Sequence, residues 1–129
     1  MTNYQNEVIE ITLQDLENNH FNDSYCHYVM NIFINENIID NEDLKSKKLD
    51  LIKQSYPIVR DMIVKSTKFK NREKTRTNLL LEMDLNYNLL ISGKKFNSFA
   101  LIEVINYSRF LYLKNNLEIL KSKLGLVNS

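Results

Sequence analysis

Apolar and polar positions alternate most plainly between residues 78 and 91. Leu79, Leu81, Met83, Leu85, Tyr87, Leu89 and Ile91 fall at every second place, separated by Asn78, Glu82, Asp84, Asn86 and Asn88, with only Leu80 and Leu90 out of step. A period of two belongs to a strand with one buried face, so a long strand is expected at about 78–91. Rolled into a helix, Glu82 and Asn86 would lie nearly opposite Asp84 and Asn88, and no single apolar stripe would remain. Near the start, Ile9, Ile11 and Leu13 face away from Glu10 and Thr12, which predicts a short strand over 8–13.

Elsewhere the spacing is helical. Tyr25, Tyr28, Val29, Ile32 and Phe33 recur at intervals of three and four after Asn22 and Asp23, either of which can cap, and predict a helix ending near Asn35. Asp40, followed by Glu42 and Asp43, opens a second helix, because a capping side chain and first-turn acids both suit the positive end of the helix dipole. Along it Leu49, Ile52, Tyr56, Val59 and Ile63 form a narrow seam fit to pack on another helix. Pro57 lies inside that helix, and an interior proline costs roughly 3 kcal/mol or more unless a kink relieves it. A bend near Tyr56, or two abutting helices, is therefore expected.

Ser92, Gly93, Lys94 and Lys95 supply a turn. Residues 96–104 then read either as a returning strand or as the start of a helix capped by Asn97 or Ser98. The helix is preferred, over about 98–124, with Phe99, Ile102, Phe110, Leu113, Leu117, Leu120 and Leu124 on its apolar side and Gly125 at its end. The expected fold is thus α+β and predominantly helical, in a single domain spanning 1–129. It has a short N-terminal strand, two or three central helices, one long strand and a long C-terminal helix. Tyr25, Tyr28, Phe33, Tyr107, Phe110 and Tyr112 are expected in the core, any exposed one marking a partner surface.

Composition narrows the function. Cys26 is the only cysteine and can form no internal disulfide, and the first residues do not resemble a signal peptide, so an intracellular, cytoplasmic protein is expected. No apolar run approaches the ~18 residues of a membrane span. Only Gly93 and Gly125 are glycines, which argues against glycine-cradled phosphate sites and tight loops needing positive φ. The excess of Asn, Ile, Lys and Leu fits an AT-rich genome such as those of many phages, some other viruses and certain bacteria or protists.

Charge adds the most informative pattern. Residues 1–43 contain nine acids and no lysine or arginine, whereas all 17 bases follow. The densest basic run is Lys65, Lys68, Lys70, Arg72, Lys74 and Arg76, interrupted by the single acid Glu73 and accompanied by Phe69. Bases neutralise phosphates and an aromatic ring can stack on a base, so the run is a candidate nucleic-acid contact. It is equally a solvated connector, or a surface for a protein, including the chain's own acidic third. Residues 74–91 as a helix-turn-helix are disfavoured by the alternation and by the few polar groups a reader helix would offer.

No catalytic set emerges. His20, Cys26 and His27 are the only imidazole and thiol groups, yet adjacent Cys26 and His27 point about 100° apart on a helix and nothing completes a metal site. Glu82 and Asp84 project together from the expected strand, where a solvated polar face explains them. No cofactor or metal is expected. The leading expectation is a non-enzymatic interaction or regulatory module, such as an inhibitor or assembly component. It would bind a protein through Glu36, Glu42 and Asp43 and the seam at Leu49, Ile52, Val59 and Ile63, which also makes a homodimer plausible. The alternative is nucleic-acid binding through 65–76. Whether folding neutralises that segment against residues 1–43 decides how much of it a partner can reach.

Overall fold

The computed structural model describes residues 1–125, and among them no strand forms. Six α-helices follow one another: α1 (Asn3–Glu17), α2 (Asp23–Asn35), α3 (Asn41–Lys65), α4 (Glu73–Ile91), α5 (Ile102–Asn115) and α6 (Leu117–Lys123), with 3-10 turns at Thr67–Phe69 and Ser98–Leu101. The α+β expectation is overturned. Both expected strands, 8–13 and 78–91, are helix.

In α1 a capping box starts the helix: the Thr2 hydroxyl accepts from the Gln5 amide at 3.1 Å, and the Gln5 side chain accepts from the Thr2 amide at 2.9 Å. The buried side is Val8, Ile9, Thr12, Leu13 and Leu16, a helical spacing. Two residues disguised it. Thr12 is polar but buried, its hydroxyl donating to the Val8 carbonyl at 2.8 Å, and Ile11 is apolar but exposed.

The same inversion explains α4. Its inward side carries Leu79, Leu80, Met83, Asn86, Tyr87 and Leu90, while Leu81 and Leu85 stand 61% and 56% exposed. Asn86 is the polar residue that broke the stripe. Burying an amide without partners costs ~1–3 kcal/mol, and here both ends are satisfied: Nδ2 donates to the Glu82 carbonyl at 2.8 Å and Oδ1 accepts from the Asn97 amide at 2.8 Å. One polar residue inside and two leucines outside suffice to imitate a period of two.

Helix α3 runs uninterrupted through Pro57, so it does not divide into two abutting helices. Pro57 and Lys53, one turn earlier, are both exposed, so the proline lies on the solvent side of the helix. The expected helix over 98–124 is instead three pieces. Asn97 caps the Ser98–Leu101 turn by accepting from the Phe99 amide at 3.0 Å, and α5 begins only at Ile102. At Asn116 the Tyr112 carbonyl accepts from both the backbone amide and the side-chain amide, at 3.2 and 2.8 Å, and the chain breaks before α6.

The scarcity of glycine did not prevent tight connections. Asn19, Asn37 and Asn71 adopt φ of 57°, 58° and 65°, a region asparagine tolerates better than other side chains. After α1 and α2 the paired hydrogen bonds of a Schellman motif follow, as in Asn37 to the Ile34 carbonyl at 3.1 Å and Ile38 to the Phe33 carbonyl at 2.8 Å.

Two apolar clusters hold the helices together. The first joins α1 and α2 to the N-terminal half of α3, the C-terminal half of α5 and α6, around Val29, Phe33, Leu16 and Leu113. The second joins the C-terminal half of α3 to α4 and the start of α5, around Val59, Met83, Leu101 and Val104. Tyr107 packs against both, and Phe21 meets it edge to face at 5.2 Å. The acidic first third therefore belongs to one cluster and the basic connector to the other.

Candidate functional site

The connector from Lys65 to Arg76 is anchored by its aromatic residue. Phe69 is buried, with the Arg76 guanidinium 5.6 Å and the Lys68 ammonium 5.8 Å from its ring centre. Arg76 is turned inward, its side chain 18% exposed; it donates to the Ser66 carbonyl at 2.6 Å and to Glu73 at 2.8 and 3.0 Å. It ties the connector to α4. Arg72 donates to the Lys68 carbonyl at 3.2 Å, and Lys65 pairs with Asp61 at 3.0 Å. Lys68, Lys70, Arg72 and Lys74 remain exposed and make no ion pair among the described residues.

The acids of the first third meet other partners. Glu17 pairs with Lys121, Asp43 with Lys47 at 3.2 Å, and Glu42 with Lys45 at 3.6 Å. The Tyr112 hydroxyl donates to Asp43 at 2.8 Å, and this bond leads the interactions that hold the Asp43 carboxyl below the usual carboxylate range. Asn19 accepts from Lys114, and the Ile38 carbonyl accepts from Lys123 at 2.9 Å. The early acidic segment is thus bound by lysines of α3, α5 and α6, and no described ion pair joins it to residues 65–76. Glu7, Glu10 and Glu36 are exposed with no ion pair among the described residues.

Beside the connector lies an open apolar groove of about 440 Å³, lined by Phe21, Val59, Met62, Ile63, Phe69, Leu79 and Ile102, with Ser66, Lys68 and Glu103 also contributing. Met62 and Ile102 are partly open to solvent, and Phe99, one turn before Ile102, is 81% exposed. Phe99 was expected on a buried stripe shared with Phe110. The 3-10 turn ahead of α5 shifts its phase and turns it outward, whereas Phe110 is buried.

Of the residues proposed for a protein partner, Glu36 and Glu42 are exposed and Asp43 is half-buried against Tyr112. Leu49 is at the surface, but Ile52, Val59 and Ile63 are buried in the second cluster with Phe69 and Met83. The seam packs within its own chain, and only Leu49 of the four is open to another.

A polar network that the sequence did not announce links α3 to α4. Arg60 grips Asp84 through Nε and a terminal nitrogen, each at 3.0 Å, the Tyr56 hydroxyl donates to the same carboxylate, and the Tyr56 and Tyr87 rings stack 3.8 Å apart. Burial acts upward on the Asp84 carboxyl, but hydrogen bonds from Arg60 and Tyr56 outweigh it and hold it below its ordinary value. Burial, reinforced by Asp84, pushes the Tyr56 phenol up to about 12, so it stays a donor at neutral pH. The available signal was the four-residue step from Tyr56 to Arg60 and the three-residue step from Asp84 to Tyr87. Because this segment is helix and not strand, Glu82 does not join Asp84; it faces solvent.

Cys26 is buried, and burial raises its thiol to about 11, while His20 and His27 are exposed. No group of three His, Cys, Asp or Glu side chains among the described residues is arranged to hold a metal, and no described helix is long and apolar enough to cross a membrane. No family model matches the chain, nor does any curated protein or solved structure to which it was compared.

Proposed function

We propose that this chain is a non-enzymatic protein-interaction module, an intracellular regulatory or assembly component whose partner inserts apolar side chains into the groove between α3, the Thr67–Phe69 turn and the start of α5. One observation carries the reading: Phe99 is 81% exposed beside the partly open Ile102 and close in sequence to the groove wall. Fully burying a phenylalanine is worth ~1.5–3 kcal/mol, and exposed apolar groups rimmed by charge are the anatomy of an interface. The uncovered Lys68, Lys70, Arg72 and Lys74 add a field that steers an acidic partner toward that groove.

Those four bases also support a second reading, nucleic-acid binding along 65–76, because none of them is neutralised by a described carboxylate. A single experiment separates the two. A photoreactive residue is placed at position 99, at position 70, or at the exposed control position 53, and irradiated in cells that express the protein. Polypeptide adducts at position 99 in excess of the control are expected. Nuclease-sensitive adducts confined to position 70 favour the second reading, and adducts at neither position in excess of the control contradict both.

A further inference from the structure

We infer that the occupant of the groove is a second copy of this chain, docked through the acidic outer face of its α1; the inference rests on the interaction reading above and names the partner. Helix α1 buries Val8, Ile9, Thr12, Leu13 and Leu16 and leaves Tyr4, Glu7, Glu10 and Ile11 outside. The Tyr4 ring meets Tyr28 of α2 edge to face at 6.0 Å, so aromatic surface extends from α1 onto α2. This face has the same construction as the groove with the opposite charge: apolar side chains open to water beside ions without partners. Glu7 and Glu10 face out from one copy; on the other, Lys68 lines the groove with Met62 and Ile102, and Lys70 and Lys74 follow it along the chain, both exposed.

Three facts favour a copy of the chain over an unrelated acidic segment. The two surfaces belong to different clusters of the fold, and no described ion pair links them within a molecule, so each is open to a neighbour. The α1 face presents two unpaired acids, Glu7 and Glu10, and the connector three unpaired lysines, Lys68, Lys70 and Lys74, so a copy supplies the opposite sign of charge from its own sequence. Each surface also carries an apolar centre, which charge complementarity alone would not require.

Docking α1 of one copy on the groove of the next is heterologous, since the two patches differ. Each copy then offers a free groove or a free α1 to the next, so association propagates head to tail, into a ring where the rotation between copies closes and an open chain where it does not. Association is expected to weaken with salt, because the Debye length shrinks from ~10 Å at 0.1 M to ~3 Å at 1 M.

Sedimentation of the full chain and of two charge-reversed variants tests this. One variant carries Lys68→Glu, Lys70→Glu and Lys74→Glu; the other carries Glu7→Lys and Glu10→Lys. All five positions are exposed, and circular dichroism checks that each variant folds. The wild type is expected to gain mass with concentration, passing beyond a dimer. Each reversed variant alone should associate at least about tenfold more weakly, because like charges then face one another. An equimolar mixture of the two should recover association, since the acidic α1 of the first meets the unaltered connector of the second. Phe99→Ser, at an exposed position, should weaken association without altering charge. A wild type that stays monomeric at every concentration, or a mixture that fails to recover, overturns the second copy as occupant. If position 99 nonetheless cross-links to a different polypeptide, the interaction reading stands and only its partner is changed; if it cross-links to nothing, that reading falls too.

Discussion

Phe33→Ala is expected to lower the free energy of unfolding by about 3–5 kcal/mol, the usual cost of removing a fully buried phenylalanine and leaving a cavity. Phe33 has no exposed surface and sits in the cluster formed by α1, α2, the N-terminal half of α3, α5 and α6, where its own carbonyl also accepts from the Ile38 and Ile39 amides at 2.8 and 3.1 Å. Against a typical domain stability of ~5–15 kcal/mol, that loss is a large fraction of the whole. Phe99→Ala is the matched comparison. The same residue type on the surface should change stability by no more than ~0.5 kcal/mol. Urea denaturation of both variants measures the difference. Equal losses would mean that Phe99 is buried, which removes the exposed aromatic from the interaction surface.

The second large effect concerns Asp84. Asp84→Ala leaves the partly buried Tyr56 hydroxyl without its acceptor and Arg60 without its bidentate partner, at an expected cost of about 1–3 kcal/mol. The linkage to pH has a definite sign. The folded state holds the Asp84 carboxyl below its unfolded value, so its stabilising contribution is complete above the unfolded pKa of ~3.9 and is lost as pH falls through the lower, folded one. Asp84→Asn removes the ionisable group while preserving shape. The variant should therefore lose less stability than the wild type between neutral pH and pH ~3. Some acid sensitivity will remain, because Asp43 is held low in the same direction by Tyr112 and Lys47. Parallel stability curves for wild type and Asp84→Asn would show that Asp84 is not held below its ordinary value.

Local chemistry of caps and charges was legible in the sequence, but burial inverted at single residues was not. Asn22 and Asp40 cap α2 and α3, accepting from the Tyr25 amide at 3.1 Å and the Glu42 amide at 3.0 Å, and such caps depend only on neighbours within one turn. The outward face of a helix depends on the whole fold. Thr12 and Asn86 are buried because a carbonyl one turn earlier accepts from each side chain, and Ile11, Leu81 and Leu85 are exposed because nothing among the described elements covers them. These five residues turn two helical patterns into apparent strands. Within the candidate site, the basic cluster was visible from composition, yet the inward turn of Arg76 was not: its partners Ser66 and Glu73 become neighbours only when the connector folds around Phe69. Phe99 was misplaced for the complementary reason, a 3-10 turn that shifted its phase before α5 began.

Folding answers the question raised by the separation of charge along the chain: Glu17, Glu42 and Asp43 of the first third meet lysines of α3 and α6, and no described ion pair covers Lys68, Lys70, Arg72 or Lys74 of the connector. Lysine acetylation with limiting reagent, read residue by residue by mass spectrometry at protein concentrations low enough to suppress association, measures this directly. Lys68, Lys70 and Lys74 are expected to react several-fold faster than Lys121, whose side chain is 23% exposed and paired with Glu17. Connector lysines that react as slowly as Lys121 would contradict the account, because they would then be covered by the rest of the chain.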